Sequence, residues 1–453
     1  MERLTDPESL NHYGRDWTRF WQPAATAVVF PESIDDVVDI VRQARADGSK
    51  LVPSGGRTGL SGGAVAANGE IVVSMERMRR LIDFDAAEPS LTVEAGMTVG
   101  TVQQTAVENG CYYPVDWAAA ASSQVGGSIA TNAGGIRVLR YGMTREWVRG
   151  LTVVTGTGEV LRLNQGLIKN NTGYDLRQLM VGSEGTLGIV VEATLGLLPP
   201  PPEQSVLLLG FTGLDALMPA LSLLRRSLRL SAFEFFDRRS VDHVAHATGQ
   251  TFPLDAGACP FFAVVEFDDP EQSVQDQALG VFEQLVDEGL VADGTISQSG
   301  AQAAELWSWR EAISESIAPM TPYKNDLAVR VGRVPDFLDD LDALVRQRYP
   351  DFEVVWFGHI GDGNLHMNVL KPESWSIDEF HAAGRKLSPA VFELVKRYQG
   401  SISAEHGVGL LKRDDLAWSR SAEEIEFMTR IKAAFDPDGI MNPGKLLVAS
   451  QGS

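Results

Sequence analysis

Two short segments concentrate the side chains able to ligate a cation or move a proton. One is Gly358-His359-Ile360-Gly361-Asp362-Gly363-Asn364-Leu365-His366-Met367-Asn368, and the other, further along, is Ala404-Glu405-His406-Gly407. Three of the seven histidines fall here. His359, His366 and Glu405 together form a two-imidazole, one-carboxylate set that suits a divalent metal with open positions. His406 stands beside that carboxylate, and its ordinary titration range near neutrality suits it to accept a proton. On one straight strand His359 and His366, an odd number of residues apart, would face opposite ways. Gly361-Asp362-Gly363 reads as a turn that lets both rings converge, with His366 and Asn368 then sharing a face. Glu405 and His406 are neighbours, so both reach one site only where a strand ends or bulges, which Gly407 permits. Any one of these histidines alone is explained as a core or turn residue. Two polar clusters with turn glycines are hard to explain as packing.

The elements that position these residues belong to a chain of 453 residues, long enough for two or three domains with real cores. A net charge of −21 argues against nucleic acid and anionic membrane surfaces as partners, so an anionic substrate needs a local basic pocket. Cys111 and Cys259 are far apart and lack metal spacing, which fits a reducing compartment. No apolar h-region opens the sequence and no apolar run is long enough to span a membrane, so a cytoplasmic location is expected.

Residues 27–31 read as a strand. A helix capped by Ser33 follows, with Asp36 at the third position, Ile34, Val37, Val38 and Val41 on one face, and Gly48 at its end. The strand 51–53 then runs into Ser54-Gly55-Gly56-Arg57-Thr58-Gly59-Leu60-Ser61-Gly62-Gly63. Bare backbone N–H groups in such a loop suit an anion such as a pyrophosphate. Further small-residue tracts occupy 122–135 and 181–190, the last ending in a strand. Three tracts imply a long ligand close to the backbone at several points, a dinucleotide rather than a mononucleotide. No G-x-G-x-x-G opens a helix after a strand and no G-x-x-x-x-G-K-[ST] occurs, so Rossmann and P-loop chemistry are unsupported.

The prolines at 199–202 mark a boundary. Beyond it strands are expected at 206–211, 230–236, 327–334 and 354–357, with helices at 215–227 and from Pro335. This rhythm suggests a sheet with helices on one face, in two related halves. A last helix capped by Ser421 and Glu424 is expected to bury Ile425, Met428, Ile431 and Phe435 before Asp436-Pro437-Asp438-Gly439 stops it.

The glycine tracts, with Ala130-Thr131-Asn132-Ala133-Gly134-Gly135, resemble the FAD-binding domain of vanillyl-alcohol oxidase-type flavoproteins. Over nearly the whole length, including Asn170-Asn171-Thr172-Gly173-Tyr174-Asp175-Leu176 and Asn442-Pro443-Gly444-Lys445, the chain is similar to FAD-linked D-2-hydroxy-acid dehydrogenases. That family includes D-2-hydroxyglutarate and D-lactate dehydrogenases and glycolate oxidase flavin subunits. The resemblance implies an α+β fold of three parts. Residues 1–202 form a bipartite FAD-binding domain with its pyrophosphate loop at 53–63. Residues 203–420 form an antiparallel-sheet-and-helix cap for substrate and metal. Residues 421–453 return to the first domain.

For the cofactor the resemblance implies Pro53, Ser54, Gly55, Gly56, Arg57, Thr58, Gly59 and Leu60 in the first loop, then Pro114 and Asp116. It adds Ser122, Gly126, Gly127, Ser128, Thr131, Asn132 and Gly134 in the second tract, Glu184, Gly185, Gly188 and Ile189 in the third, and Asn442. Arg57 stands where some relatives carry a flavin-linking histidine, so FAD is expected to be non-covalent. His359, His366 and Glu405 would hold a zinc-like divalent metal, and His406 would be the general base. Arg310 and Lys324, assisted by Ser314 and Asn368, would hold substrate carboxylates, as a bidentate clamp and a point charge. Relatives tend to have threonine where this chain has Ser314.

The activity implied is oxidation of a D-2-hydroxy acid to its 2-keto acid, with D-2-hydroxyglutarate, then D-lactate or glycolate, as substrate. An electron-transfer flavoprotein or quinone would be the acceptor, and a homodimer is expected. The competing classes are a non-redox transferase of alkyl-glycerone-phosphate synthase type, a flavin-binding assembly subunit, and a metal-only hydrolase that leaves the glycine tracts unused.

Overall fold

The computed structural model describes residues 1–448 apart from 19, 256 and 258, so the last five residues of the 421–453 segment lie outside it. The fold is α+β. The chain divides into two compact units, one of Met1–Gly135, Tyr141–Pro200 and the chain from Glu405 on, the other of Ile136–Arg140 and Pro201–Ala404. The crossing falls inside the proline run. The chain leaves the second unit after Ala404, well before the 421 expected from sequence. Residues 136–140 join the second unit because their arginines have buried acids to meet there. Arg137 Nε and Nη2 donate to the two oxygens of Glu266 at 2.8 and 3.0 Å, and Arg140 Nη2 donates to Asp268 Oδ2 at 2.7 Å. Paired charged hydrogen bonds of this kind fix orientation as well as position.

In the first unit a four-stranded sheet runs in the order Glu2–Leu4, Ala27–Phe30, Ile71–Ser74, Leu51–Ser54, with parallel pairs after the first. A five-stranded antiparallel sheet is ordered Leu81–Asp85, Ser90–Glu94, Gly188–Gly196, Val148–Thr155, Val160–Leu163. The helix Ile34–Asp47 starts where Ser33 Oγ accepts from the N–H of Asp36 and stops at left-handed Gly48, as its sequence signals require. Its Val37 and Val41 join Val93, Val102, Ile129, Val153 and Val191 in the larger core. Asn442 N–H donates to Leu51 O, laying the C-terminal tail beside Leu51–Ser54.

The helix Ala422–Phe435 has the expected capping box, but Ile425, Met428, Ile431 and Phe435 are only half-buried. It lies on the surface with Phe427 61% exposed, so its apolar face is covered less than its periodicity suggests.

The second unit is one seven-stranded sheet. Its strands are β1 (Gln204–Phe211), β2 (Leu230–Asp237), β3 (Phe261–Asp268), β4 (Val291–Ile296), β5 (Tyr323–Ala328), β6 (Glu353–Gly358) and β7 (Asn364–Leu370). They are ordered β4-β1-β3-β2-β6-β7-β5, all antiparallel. The helices are α1 (Leu217–Ser227), α2 (Arg238–Thr248), α3 (Gln272–Asp287), α4 (Gly300–Glu311), α5 (Ile313–Ile317), α6 (Val334–Arg348) and α7 (Ile377–Arg397). The two halves repeat one plan. In the first, strands one to four stand in the order 4-1-3-2. In the second, β5, β6 and β7 take places one, two and three, and Ser401, bridged to Ala328 on the outer side of β5, takes place four. The halves meet through β2 and β6, where Phe236 pairs with Phe357.

Helices cover both faces of this sheet, not one. Val206, Phe236, Phe262 and Phe357 lie under α2, α4 and α5. The alternate residues Leu209, Phe235, Val265 and Met367 are equally buried, on the face that meets α3 and α7. Both sets are apolar, so periodicity along one strand did not reveal how many sides were covered. The strand expected at 327–334 instead ends at Ala328. Its partner β7 begins only at Asn364, opposite Ala328, and pairing cannot run further.

Candidate functional site

The hairpin β6–β7 carries both imidazoles. Its turn at residues 360–363, with Gly363 at φ +89°, returns the chain so that the His359 and His366 rings lie 5.2 Å apart at 86°. A Cβ at Gly363 would fall 2.1 Å from Val329 O, which restricts the position to glycine on two grounds. One ligand atom of His359 and one of His366 lie within 4.8 Å of each other.

Behind His359 stands Glu234 on β2, its side chain 1% exposed, with Oε1 2.7 Å from His359 Nδ1. Arg310 Nη2 approaches Glu234 Oε2 to 2.9 Å, yet that oxygen has no hydrogen bond of good geometry, so the contact is an ion pair. The Arg310 guanidinium also lies 4.7 Å over the Phe357 ring, and its Nε is buried without a hydrogen-bond partner. Asp326 Oδ1 lies 3.7 Å from His366 Nδ1 and accepts from Asn364 Nδ2 at 2.8 Å. Burial raises the Asp362 carboxyl to about 6, against the pull of His359.

Register places the remaining candidates of this unit. Phe357 is opposite His366, His366 opposite Asp326, and Asn368 opposite Lys324. Opposed residues of an antiparallel pair share a face, so these side chains form two adjacent rows. Lys324 keeps more than a third of its surface accessible, and the surrounding protein removes enough water to lower its ammonium below the ordinary value. Among the described residues no side chain pairs with it. Buried Asn368 donates to His366 O at 3.2 Å. Ser314 is exposed on α5, and among the described residues no hydrogen bond ties it to the others.

In the first unit the three glycine tracts meet. Gly56 lies so close to the second tract that a Cβ would fall 2.0 Å from Ser122 O, and Thr58 Oγ1 lies 2.8 Å from Ser123 Oγ. The third tract closes on the second through Gly182 N–H to Ile129 O and Glu184 N–H to Ala130 O, at 3.0 and 2.8 Å. Gly185 sits against Pro53. Gly126, Gly127, Ser128 and Thr131 form the helix Val125–Thr131, which ends at left-handed Asn132, whose Oδ1 accepts from Arg145 N–H. Asp116 accepts from Gln103 Nε2, and Pro114 and Gly134 lie in the flanking loops. Gly188 and Ile189 open the central strand Gly188–Gly196. Arg57, with φ +59°, lies 4.6 Å over the Tyr13 ring, and Leu60 is 39% exposed. Buried Ser54 Oγ, Gln124 Oε1 and Asn442 Oδ1 have no protein partner, while Asn442 Nδ2 donates to Gly63 O and Glu184 O. Orphaned polar atoms around a convergence of bare backbone fit a large polar ligand such as FAD.

Glu184 has another use. Its Oε1 and Oε2 accept the N–H groups of Val408 and Gly409 at 2.8 and 2.7 Å, and burial pushes its carboxyl above the ordinary range. Glu405 and His406 precede that turn in bends, not in a strand, and one ligand atom of each lies within 4.8 Å of the other. The alternation that would separate neighbours on a strand therefore does not apply, and Gly407 takes φ +79°.

Sequence reasoning missed Glu234, Asp326 and Asp16, whose Oδ2 accepts Gly62 N–H at 2.7 Å. A lone carboxylate within the apolar strand Ser231-Ala232-Phe233-Glu234-Phe235-Phe236 was the available signal for the first.

Comparison with known proteins fits this architecture. Residues 25–164 match a family described as FAD binding domain, and residues 200–446 match FAD linked oxidases, C-terminal domain. The fold and the glycine tracts thus define an FAD-linked oxidoreductase. A D-2-hydroxyglutarate dehydrogenase of Stutzerimonas stutzeri is 53% identical over 446 residues, 98% of this chain and 96% of that protein. One from Xanthomonas citri pv. viticola is 54% identical over 443 residues, 98% and 93% of the two chains, and the mitochondrial protein of Bos taurus is 37% identical over 448, 98% and 81%. The chain belongs to the D-2-hydroxyglutarate dehydrogenase family. A solved alkyldihydroxyacetonephosphate synthase covers 97% of this chain and 83% of its own at TM-score 0.73 and 17% identity, a likeness of fold alone. Among the described residues no helix is long and apolar enough to cross a membrane.

Proposed function

We propose that this chain oxidises D-2-hydroxyglutarate to 2-oxoglutarate with non-covalent FAD and a zinc-like divalent metal. The observation that carries the reading is similarity above 50% across both units, to relatives bearing that activity in their names. When bound, FAD accepts the C2 hydride and the metal lowers the pKa of the 2-hydroxyl.

His359, His366 and Glu405 hold the metal. Glu234 takes the Nδ1–H of His359, which leaves Nε2 as the ligand atom, a common arrangement behind metal-binding imidazoles. Ser401 is bridged to Ala328, at the end of the strand that carries Asp326. His406, neutral, takes the hydroxyl proton. Lys324 and the unsatisfied Nε side of Arg310 bind the two carboxylates, with Asn368 and Ser314 assisting. A separate acceptor, an electron-transfer flavoprotein or quinone, takes the electrons. The buried free thiols Cys111 and Cys259 are in keeping with a cytoplasmic setting, and a homodimer is the expected assembly.

The test is anaerobic titration of the purified holoprotein with D-2-hydroxyglutarate, D-lactate, glycolate and the L-forms, reading flavin absorbance, with a chelator in a second run. Bleaching by D-2-hydroxyglutarate at the lowest concentration, abolished by the chelator, is expected. A flavin that stays oxidised with D-2-hydroxyglutarate overturns the proposal. Preferential bleaching by D-lactate reassigns the substrate, a reading favoured by a 33% identical protein from Schizosaccharomyces pombe named putative D-lactate dehydrogenase.

A further inference from the structure

Glu184 sits in the third glycine tract, where the resemblance to flavoproteins makes it a cofactor contact. Its surroundings give it different work. It is a buried carboxylate at φ +53°, a conformation rare outside glycine, and its backbone is held on both sides. Its N–H reaches Ala130 O in the second tract, and its carbonyl accepts from Asn442 Nδ2. Both carboxylate oxygens are spent on consecutive backbone N–H groups of Val408 and Gly409.

The segment after His406 is gripped from a second side by the first tract. Ser61 O accepts from Leu410 and Leu411 N–H at 2.9 and 3.0 Å. The fit is close throughout. A Cβ on Gly407 would lie 2.9 Å from Glu184 Oε1, and one on Gly409 2.2 Å from Ser61 O. The turn behind His406 is thus bolted to two of the three tracts that converge in this unit.

We infer that Glu184 is a positioning residue, a two-pronged backbone latch that fixes the 405–411 turn, and with it His406, to the glycine tracts. The inference rests on the reading of His406 as the proton acceptor. A carboxylate suits the task because it offers two acceptors in one plane. An amide offers one, and turns a donor against the other N–H.

Glu184→Gln tests this in the full-length holoprotein, with two readouts. Hydrogen exchange followed by mass spectrometry is expected to show faster exchange in peptides covering 405–411, with the 54–63 tract still protected and FAD content unchanged. Stopped-flow reduction by D-2-hydroxyglutarate is expected to lose up to about a hundred-fold in limiting rate with little change in half-saturating concentration, the scale of a slightly misplaced reacting group. Gly409→Ala, which pushes the same turn off Ser61, is expected to give the same pair of effects, so one poorly folding variant does not decide the matter. Unchanged exchange at 405–411, an unchanged reduction rate despite faster exchange, or loss of FAD from Glu184→Gln each overturns the inference. The exchange readout needs no substrate, so it fails independently of the proposed activity.

Discussion

Replacing Glu234 by Gln isolates the carboxylate behind His359 while keeping its shape. The wild-type group makes one hydrogen bond to His359 at 2.7 Å and one ion pair to Arg310 at 2.9 Å, with its side chain almost wholly buried. The amide must choose. If its nitrogen faces Arg310, two donors oppose each other across a short contact. If it faces His359, the imidazole must accept at Nδ1, which moves its proton to Nε2, the atom proposed to hold the metal. A hydrogen bond to a charged group contributes about 1.5–3 kcal/mol and a neutral one about 0.5–1.5, so the loss in folding stability should be roughly 1–2 kcal/mol, plus the cost of leaving Arg310 less compensated. Metal affinity should fall about 10–100-fold, the usual consequence of losing such a partner. The assay is competition of metal-free wild type and variant against a chromophoric chelator, with FAD content measured alongside. A folded, FAD-loaded variant with wild-type metal affinity refutes the reasoning.

Other consequences follow from single contacts. His406→Ala should retain FAD while flavin reduction by substrate slows about 10²–10⁴-fold in single-turnover experiments, the range lost with a general base. Lys324→Met should lower kcat/KM for D-2-hydroxyglutarate by about 10–100-fold and leave D-lactate nearly untouched, since one charge-assisted contact is worth about 1.5–3 kcal/mol. Equal losses on both substrates would remove Lys324 from the distal carboxylate. Gly56→Ala drives a methyl into Ser122 O and should cost about 1–3 kcal/mol of local order, read as FAD lost on gel filtration. Burial raises the Asp237 carboxyl from an ordinary 3.8 to about 6. Between those values only the folded state holds the proton, so stability falls as pH rises through this window, by at most roughly 3 kcal/mol. Asp237→Asn lacks the titration, so urea midpoints of the pair should shift in the variant's favour as pH rises through the same window, and a constant difference refutes it.

Local chemistry was legible in the sequence wherever it is decided locally. Ser33, Asp36 and Gly48 delimit a helix because capping and left-handed termination are properties of a few adjacent residues. Gly361-Asp362-Gly363 announced a reversal for the same reason, and the meeting of His359 with His366 followed. What could not be read depends on partners distant in the chain. Glu234 is an ordinary acid until β2 is laid beside β6, and Arg310 an ordinary base until α4 packs on β2. Arg137 and Arg140 look like surface cations until Glu266 and Asp268 draw residues 136–140 out of the first unit. The end of β5 is set by where β7 begins, not by its own residues. Glu184 reads as one more member of a glycine-rich tract because nothing near it announces the backbone it holds.

The repeated plan of the seven-stranded sheet divides labour between its copies. In one copy the 23 residues 238–260, α2 among them, separate strands two and three. In the other the corresponding join is the five-residue reversal that bears His359. A connection that long absorbs insertions cheaply, whereas the short one cannot grow without swinging an imidazole out of register. Length variation tolerated at the first join and lethal to turnover at the second would be the evolutionary signature of a duplicated module in which only one copy carries the imidazoles.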